Sequence, residues 1–407
     1  MGAGLGGLLV AWRARAAGER VLVHEAAPTT GGRTRTETRA GWRVERGAWF
    51  LPGSLPPAGL SPEAAQRLGM APLVGTVASV GPRGLVPLWT RARATAATVH
   101  DALTPRRRAT TSAREPESLA AFARRRFGAG IAHDVVRTVA EAVWPVGAER
   151  VGVGDALPSW LAREARRRRV GVGLFDALTA DAPLGWQVAG GMSAVLERLC
   201  TDLGTCVRTG QRVVQVLPGA GPADARLVFA DGTRSDAGSV TLAVPAAEQA
   251  RLLRAAAPPL ADRLPGAGDP GVVRVTVGWT PGASGPVPPP HVGVVRGRAR
   301  LRVRSVLFPT AYDTAAAPPG SALAVAWLGG EHDPQAMTES EPRLVRRALA
   351  DLGLVLGGRV RPDVVDVQRV ACDAGATWPG RRALLLDDVR TLAGVGVDLV
   401  LRPTWTT

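Results

Sequence analysis

The chain has 407 residues, 46% of them hydrophobic, and carries a formal net charge of +15 that comes entirely from arginine, because lysine is absent. Two lobes are expected at this length, and the lack of an uninterrupted apolar run of about 18 residues excludes a membrane-spanning helix of the usual kind. The arginine runs lack the interleaved aromatic residues or motif of a nucleic-acid-binding protein, and the three cysteines form neither a disulfide framework nor a metal-ligand pattern.

The chain opens with a glycine-rich turn followed by a predicted helix. Gly2, Gly4 and Gly7 fit the pattern G-x-G-x-x-G. In this pattern the first glycine permits a tight turn, the second admits a pyrophosphate against the backbone, and the third lets the helix pack closely on a strand. The alanine-rich segment 8–17 is predicted to be the helix, ended by Gly18. Free N–H groups and the positive end of the helix dipole then face the phosphates.

A buried strand and an acid follow at the distance that dinucleotide binding requires. The apolar segment 21–23 is typical of a parallel strand, and Glu25 stands at its carboxyl end, about 20 residues past the loop. A carboxylate at this place accepts hydrogen bonds from ribose hydroxyls. Together the two pieces predict a dinucleotide-binding unit, whereas each alone is also compatible with an ordinary turn or a solvated acid.

The next two segments indicate which dinucleotide is bound. Gly31-Gly-Arg33 and the segment Trp42-Arg-Val-Glu-Arg-Gly-Ala-Trp-Phe50 resemble the opening of the flavin-dependent amine oxidase superfamily, which includes protoporphyrinogen oxidases, monoamine oxidases and phytoene desaturases. The resemblance implies FAD as the cofactor. It places Gly32 and Arg33 along the FAD pyrophosphate, and Gly47, Ala48 and Trp49 close to the flavin ring. Core packing is the alternative role of Trp49.

A central helical block is predicted after a stretch rich in loops. Residues 53–84 contain many prolines and glycines and are interpreted as loops with one short helix at 62–68, whereas 85–99 is predicted as strand and turn. Helical periodicity then extends over 117–132 and 134–142. Three strings in this region are similar to the protoporphyrinogen oxidase branch of the superfamily: 122–128, 147–158 and 161–164. The block is interpreted as a substrate lobe inserted into the cofactor fold.

The cofactor lobe is predicted to resume at Gly190-Gly-Met192. A helix over 193–203 precedes strands at 212–216, 226–230 and 239–244, with Asp231-Gly232 as a hairpin signal. In the resembled family, Val213 touches adenine through its backbone and the end of the last strand lies near the flavin. Plain strand core is the alternative role of Val213, and the two roles are compatible.

The remaining elements form the second half of the substrate lobe. Strands are predicted at 272–279, 301–307 and 322–328, followed by a helix over 342–356. The turn Gly329-Gly-Glu-His-Asp-Pro334 is the most specific match to the protoporphyrinogen oxidase branch.

The two ends of the chain depart from the family pattern. A strand of about five residues is expected before such a glycine turn, yet only Met1 precedes Gly2. A start further upstream is preferred to a gap in the sheet. Near the other end, 383–388 is only loosely similar to the Gly-Asp pair expected of the family, which suggests a frameshifted or degenerate tail.

The predicted fold class is α/β, with an FAD-binding Rossmann-type (GR2-like) cofactor domain and an inserted helical and mixed-sheet substrate domain. The expected parts are 1–75 and 186–260 for FAD binding, 76–185 and 261–370 for the substrate, and 371–407 for a divergent tail that replaces the third FAD-binding part. The residues assigned to the cofactor are Gly2, Gly4, Leu5, Gly6, Gly7, Glu25, Ala26, Gly32, Arg33, Gly47, Ala48, Trp49 and Val213.

The resemblance implies an oxidase of haem biosynthesis that dehydrogenates protoporphyrinogen or coproporphyrinogen with dioxygen as acceptor. The cysteine usage and the lack of a secretory signal or long apolar run predict a cytoplasmic protein, soluble or peripheral to a membrane. Propionate groups on such a substrate call for guanidinium forks, for which Arg91 and Arg93 are candidates. No metal and no catalytic side chain are assigned. The alternatives are a carotenoid desaturase, an amine oxidase, whose aromatic cage is hard to build with Tyr312 as the single tyrosine, and a non-catalytic flavoprotein remnant.

Overall fold

We describe a computed structural model of the protein over residues 1–52, 60–88, 90–103, 117–156, 184–218, 225–264, 270–297, 299–371 and 397–399. The helices are α1 (Leu5–Ala16), α2 (Pro62–Arg67), α3 (Arg91–Leu103), α4 (Leu119–Ile131), α5 (Thr138–Val143), α6 (Val153–Ala156), α7 (Met192–Leu203), α8 (Ala246–Leu253), α9 (Pro258–Arg263) and α10 (Glu341–Leu356). A π-helical segment, Ala132–Arg137, joins α4 to α5.

The strands are β1 (Val23–His24), β2 (Thr36–Arg39), β3 (Trp42–Glu45), β4 (Leu51–Pro52), β5 (Met70–Leu73), β6 (Val77–Gly81), β7 (Gly84–Pro87), β8 (Gly185–Val188), β9 (Val207–Arg208), β10 (Val213–Pro218), β11 (Ala225–Phe229), β12 (Arg234–Ala237), β13 (Val240–Leu242), β14 (Val272–Trp279), β15 (Gly293–Val295), β16 (Ser305–Leu307), β17 (Ala322–Gly329), β18 (Val364–Val370) and β19 (Val397–Leu399). They divide between a lobe that holds the glycine loop and a lobe built on one large sheet.

In the first lobe the start of the chain lies between parallel strands. β1 pairs with β9, and β13 pairs with β19. The Met1 nitrogen donates to Thr241 O at 2.7 Å, and Ala243 N donates to Met1 O at 2.9 Å. On the other side, Gly2 N donates to His24 O at 2.9 Å. Met1 and Gly2 therefore join the two strand pairs at their carboxyl ends, and α1 begins directly beyond them.

Helix α7 packs on α1 because its apolar residues recur at helical spacing. Its buried residues are Met192, Val195, Leu196, Leu199 and Leu203. They share one core with the buried leucines of α1, and each fully buried leucine contributes about 1.5–3 kcal/mol of burial free energy. The two halves of the cofactor lobe, separated by the helical block in sequence, are thereby held together.

The second lobe is a seven-stranded mixed sheet with the order β18-β14-β17-β16-β15-β6-β7. Alternation along β14 assigns its residues to two faces. Val273, Val275 and Val277 pack on the side of α10, in one cluster with Leu344 and Leu352. The residues between them, including Arg274, point to the opposite face, toward the cofactor lobe.

The helical block packs against the end of this sheet through α3, α4 and α5. Leu88, Phe122 and Phe127 lie in its core together with Val295 of β15. Arg126 and Asp101 form a buried ion pair at 2.9 Å between α4 and α3. None of the helices within the described ranges is both long and apolar enough to cross a bilayer.

Two predictions for this region are corrected by the structure. The segment 85–99, predicted as strand and turn, has a strand only at β7 and then enters α3. The prediction gave weight to Thr95, Thr98 and Val99, but the segment is rich in alanine and arginine, which favour a helix, and the Asp101 ion pair with α4 stabilises it. The predicted helix over 134–142 is π-helical in its first half. The strings 161–164 and 383–388 lie outside the described residues, whereas 397–399 pair with β13.

Candidate functional site

Two glycines of the first turn stand where a side chain would meet backbone. A Cβ on Gly2 would lie 2.6 Å from Ala243 O, and one on Gly7 would lie 2.0 Å from Gly2 O. Gly2 also has φ +88°, which favours glycine. Gly2 and Gly7 thus have the turn and close-packing roles that the pattern predicts.

The other glycines of the turn leave an open cradle at the N terminus of α1. A Cβ on Gly4 would meet only Gly31 O, at 3.9 Å, and one on Gly6 would meet no described atom within 4 Å. Gly4 is the N-cap residue of α1, no side chain among the described residues caps the helix, and its first turn holds no acid. The positive end of the helix is therefore open to an anion, and the cradle fits the pyrophosphate of a dinucleotide.

The second glycine segment lies against this cradle. Gly31 N donates to Ala3 O at 2.8 Å, and a Cβ on Gly32 would lie 3.6 Å from the Gly4 Cα. The backbone then passes Arg33, whose side chain is exposed, and a Cβ on Gly47 would lie 2.6 Å from Arg33 O. The structure therefore brings the three glycine segments of the sequence prediction together on one side of α1.

Glu25 lies at the carboxyl end of β1 and ties the glycine turn to its neighbours. Its carboxylate accepts from Ala3 N at 2.7 Å and from Ala27 N at 2.8 Å. Gln211 N donates to Glu25 O at 2.8 Å, so the chain that leads into β10 and the buried Val213 runs beside Glu25 and Ala26. Carboxylate oxygens have further lone pairs, so Glu25 keeps acceptor capacity for a ribose hydroxyl.

Glu45 has a role that sequence reasoning missed. Its buried carboxylate accepts from Met192 N at 3.1 Å and from the Thr36 hydroxyl at 2.9 Å, and burial raises the pKa of Glu45. The N-cap position of α7 is Gly191, which has no side chain, so Glu45 caps α7 from another strand. No local pattern points to this cap, because the partners are separated by 147 positions in sequence.

The segment 47–49 lies between the sheet and an aromatic cluster. Trp49 is buried in a cluster with Trp42 and Leu323, and Phe50 and Trp327 pack against it. The Trp49 Nε1 atom has no hydrogen-bond partner among the described residues. Trp49 therefore packs in the core, and its cluster forms an apolar wall next to Gly47 and Ala48, whereas the contact of Trp49 with the flavin ring stays a prediction.

The turn at 329–334 attaches the helical block to the sheet. Glu331 accepts from Gly147 N at 2.6 Å and pairs with Arg150 at 2.9 Å, while Glu331 N donates to Pro145 O at 2.8 Å. A Cβ on Gly330, which has φ +82°, would lie 2.6 Å from Pro145 O. The turn at 329–334 therefore holds the helical block against the sheet.

The candidate propionate ligands are not both described. Arg93 Nη1 donates to Leu88 O at 2.6 Å, a bond that ties its guanidinium to its own segment. The Arg91 side chain lies outside the described residues. A polar cavity of about 450 Å³ lies elsewhere, between Arg302 and the first turns of α10, and no cofactor loop lines it.

The chain is similar to known proteins both in its sequence profile and in its fold. The sequence profile of a family described as flavin containing amine oxidoreductase matches residues 5–378. No curated protein matches the sequence. A solved protein from Exiguobacterium sp. 255-15, provisionally named protoporphyrinogen oxidase, superposes with a TM-score of 0.74 at 18% identity, over 98% of this chain and 92% of that one.

Two further solved structures have the same fold. Putrescine oxidase bound to putrescine superposes with a TM-score of 0.64 at 19% identity, over 98% of this chain and 91% of that one. Reduced UDP-galactopyranose mutase superposes with a TM-score of 0.66 at 16% identity, over 97% and 87% of the two chains.

Proposed function

Because the chain belongs to the flavin-containing amine oxidoreductase family, we propose that this FAD-dependent oxidase dehydrogenates a porphyrinogen, with dioxygen as the electron acceptor. Membership of the family confirms the predicted α/β fold class, the FAD cofactor and the oxidase activity. The superposition on the provisionally named protoporphyrinogen oxidase carries the substrate proposal, because its TM-score exceeds those of the putrescine oxidase and the mutase.

Two features of the described residues support this substrate class. The half-buried Phe50 and Trp327, backed by the buried Trp49, form an apolar, aromatic wall, which suits the pyrrole rings of a tetrapyrrole. The single tyrosine, Tyr312, has its hydroxyl buried beside Arg43 and Asp313, and burial raises its pKa. A tyrosine-lined cage for an amine is therefore not favoured, and a haem-pathway enzyme is favoured over an amine oxidase.

The residues assigned to FAD in this proposal come from the family resemblance, and the arrangement of the glycine segments and Glu25 supports them. Backbone N–H groups of residues 4–7 receive the pyrophosphate, with Gly32 and Arg33 alongside it. Glu25 and Ala26 would bind the ribose next to Val213, which would contact adenine, and Gly47 to Trp49 would lie against the flavin ring. FAD, when bound, accepts a hydride from the substrate and passes the electrons to dioxygen.

The protein's own part in the reaction is to bind, orient and shield the substrate. Hydride removal requires no general base, so no titratable side chain is assigned to it. The apolar wall excludes water and holds the ring of the substrate, and Glu331 keeps the helical block closed against the sheet.

The proposal is tested with FAD-loaded protein in air. Coproporphyrinogen III, protoporphyrinogen IX and putrescine are offered separately, and porphyrin fluorescence and hydrogen peroxide are followed, with the spontaneous rate subtracted. Porphyrin and peroxide are expected to rise together with one of the porphyrinogens. Oxidation of putrescine alone, or no porphyrin above the spontaneous rate, would refute the proposal.

A matched negative control comes from the cradle. Gly4 has an extended backbone, φ −75° and ψ 172°, which valine adopts without strain. In Gly4→Val the added side chain fills the space assigned to the pyrophosphate, so FAD retention and porphyrin formation are expected to be lost together while the far-ultraviolet circular dichroism is unchanged.

A further inference from the structure

We propose that Arg274 is a positioning residue of this oxidase, which fixes the backbone of residues 45–47 and through it the segment assigned to the flavin ring. The inference rests on the proposed contact of Gly47 to Trp49 with FAD. It concerns a residue that lies on the sheet of the second lobe and acts on a loop of the first.

Arg274 is inaccessible to solvent and holds two carbonyls of the same loop. Its side chain is 1% exposed and points away from α10. One terminal nitrogen donates to Gly47 O, and the other donates to Glu45 O at 2.9 Å and to the Gln368 side-chain oxygen. The planar fork of a guanidinium thus places separate nitrogens on two carbonyls that are two residues apart, whereas a lysine ammonium would have to reach both from a single nitrogen.

Further hydrogen bonds from neighbouring residues fix the loop of residues 45–47. The Gln368 amide donates to Glu45 O at 3.3 Å and to Asp366 at 2.7 Å. Asp366 in turn accepts from the Arg46 guanidinium at 3.2 Å. The loop is therefore tied to β14 and β18 through the carbonyl of residue 45, the side chain of residue 46 and the carbonyl of residue 47.

The position of Arg274 also couples the loop to the apolar wall. Its guanidinium lies 5.2 Å from the centre of the Trp327 ring, and Trp327 packs against the cluster that contains Trp49. A buried cation is costly unless hydrogen bonds satisfy it, and here the acceptors are the loop carbonyls. A shift of the loop would leave the cation unsatisfied, so Arg274 holds the loop at one distance from the sheet.

The test compares Arg274→Lys with Arg304→Lys. Arg304 is the matched control, because it is also buried in the second lobe and donates to backbone carbonyls, those of Glu141 and Trp144, but grips the helical block. Each variant retains the positive charge and loses the fork. FAD dissociation constant, visible flavin absorption, reoxidation of dithionite-reduced protein by air, and melting temperature are measured for both.

Arg274→Lys is expected to raise the FAD dissociation constant about tenfold, the equivalent of one charge-assisted hydrogen bond, to shift the visible flavin band and to slow reoxidation. Arg304→Lys is expected to lower the melting temperature without moving the flavin band or the dissociation constant. An unchanged flavin band and dissociation constant in Arg274→Lys, or the same changes in both variants, would overturn the proposal.

A second variant decides the question if Arg274→Lys does not fold. Gln368→Met keeps Arg274 but removes the amide that Arg274 and Glu45 O share. It is expected to shift the flavin band in the same direction by a smaller amount, and an unshifted band would overturn the proposal. None of these measurements uses a porphyrinogen, so the role of Arg274 stands or falls separately from the substrate.

Discussion

Replacing Gly7 with alanine is expected to destabilise the apoprotein by about 1–3.5 kcal/mol. The added methyl carbon would lie 2.0 Å from Gly2 O, so α1 must move away from the turn by an ångström or more. Overpacking of this kind costs about 1–3 kcal/mol. The same shift strains the hydrogen bond from Gly2 N to His24 O, which contributes about 1 kcal/mol. Alanine has a better helix propensity than glycine, which offsets about 0.5–1 kcal/mol of this cost.

Gly6→Ala is the matched control, one position earlier in the same helix. Its Cβ would meet no described atom within 4 Å, so only the helix propensity acts, and the apoprotein is expected to gain about 0.5–1 kcal/mol. Urea unfolding of both apoproteins, followed by circular dichroism, measures the difference. Equal midpoints for the two variants would show that Gly7 does not pack as described.

Three more predictions concern single carboxylates. Glu331→Ala is expected to cost about 1–2 kcal/mol of stability and to expose the helical block to protease. Arg150→Ala, which removes only the exposed partner of Glu331, should cost less than about 0.5 kcal/mol. Thermal unfolding of the two variants measures the difference. Arg46 holds the pKa of Glu37 at about 2, below its ordinary value of 4.5. This pair therefore stabilises the fold above pH 4.5, and its contribution is lost as the pH falls toward 2. Glu37→Gln should flatten that part of the acid-unfolding curve, and an unchanged curve would contradict the assignment. Glu25→Gln should weaken FAD binding about tenfold in a fluorescence titration, with the exposed Glu19→Gln as a control that leaves the affinity unchanged.

Patterns of neighbouring residues correctly predicted those strands, turns and helix starts that depend on interactions between residues close in sequence. The run Val272–Trp279 is almost wholly apolar and β-branched, and the strand has the predicted bounds. The glycine turn was predicted from its own spacing, and Gly7 meets a local steric demand, because a Cβ there would lie 2.0 Å from the carbonyl oxygen of Gly2. The short helix at 62–67 begins at a Ser61 cap with Pro62 in its first turn, both visible in the sequence.

The contacts that sequence reasoning missed all join distant segments. Arg274 lies inside a predicted strand, and nothing in its neighbourhood indicates that its fork reaches a carbonyl 227 positions away. The helix α3 was missed for a different reason, because its threonines and valine were weighted above the alanines and arginines that favour a helix. The assignment of individual residues to FAD stays a prediction, which the variants above test.

The bond from the Met1 nitrogen to Thr241 O has a consequence for the growing polypeptide. Because the partner strand of the glycine turn is synthesised 240 residues after it, the turn leaves the ribosome long before the strand that completes its surroundings. During that interval α7 is not yet present to cover the apolar Leu5, Leu8 and Leu9. These side chains can form non-native contacts until residues up to Leu203 have been synthesised. Completion of the nucleotide cradle is then a late event in biogenesis, and a pause in translation between the two halves is expected to lower the yield of folded protein.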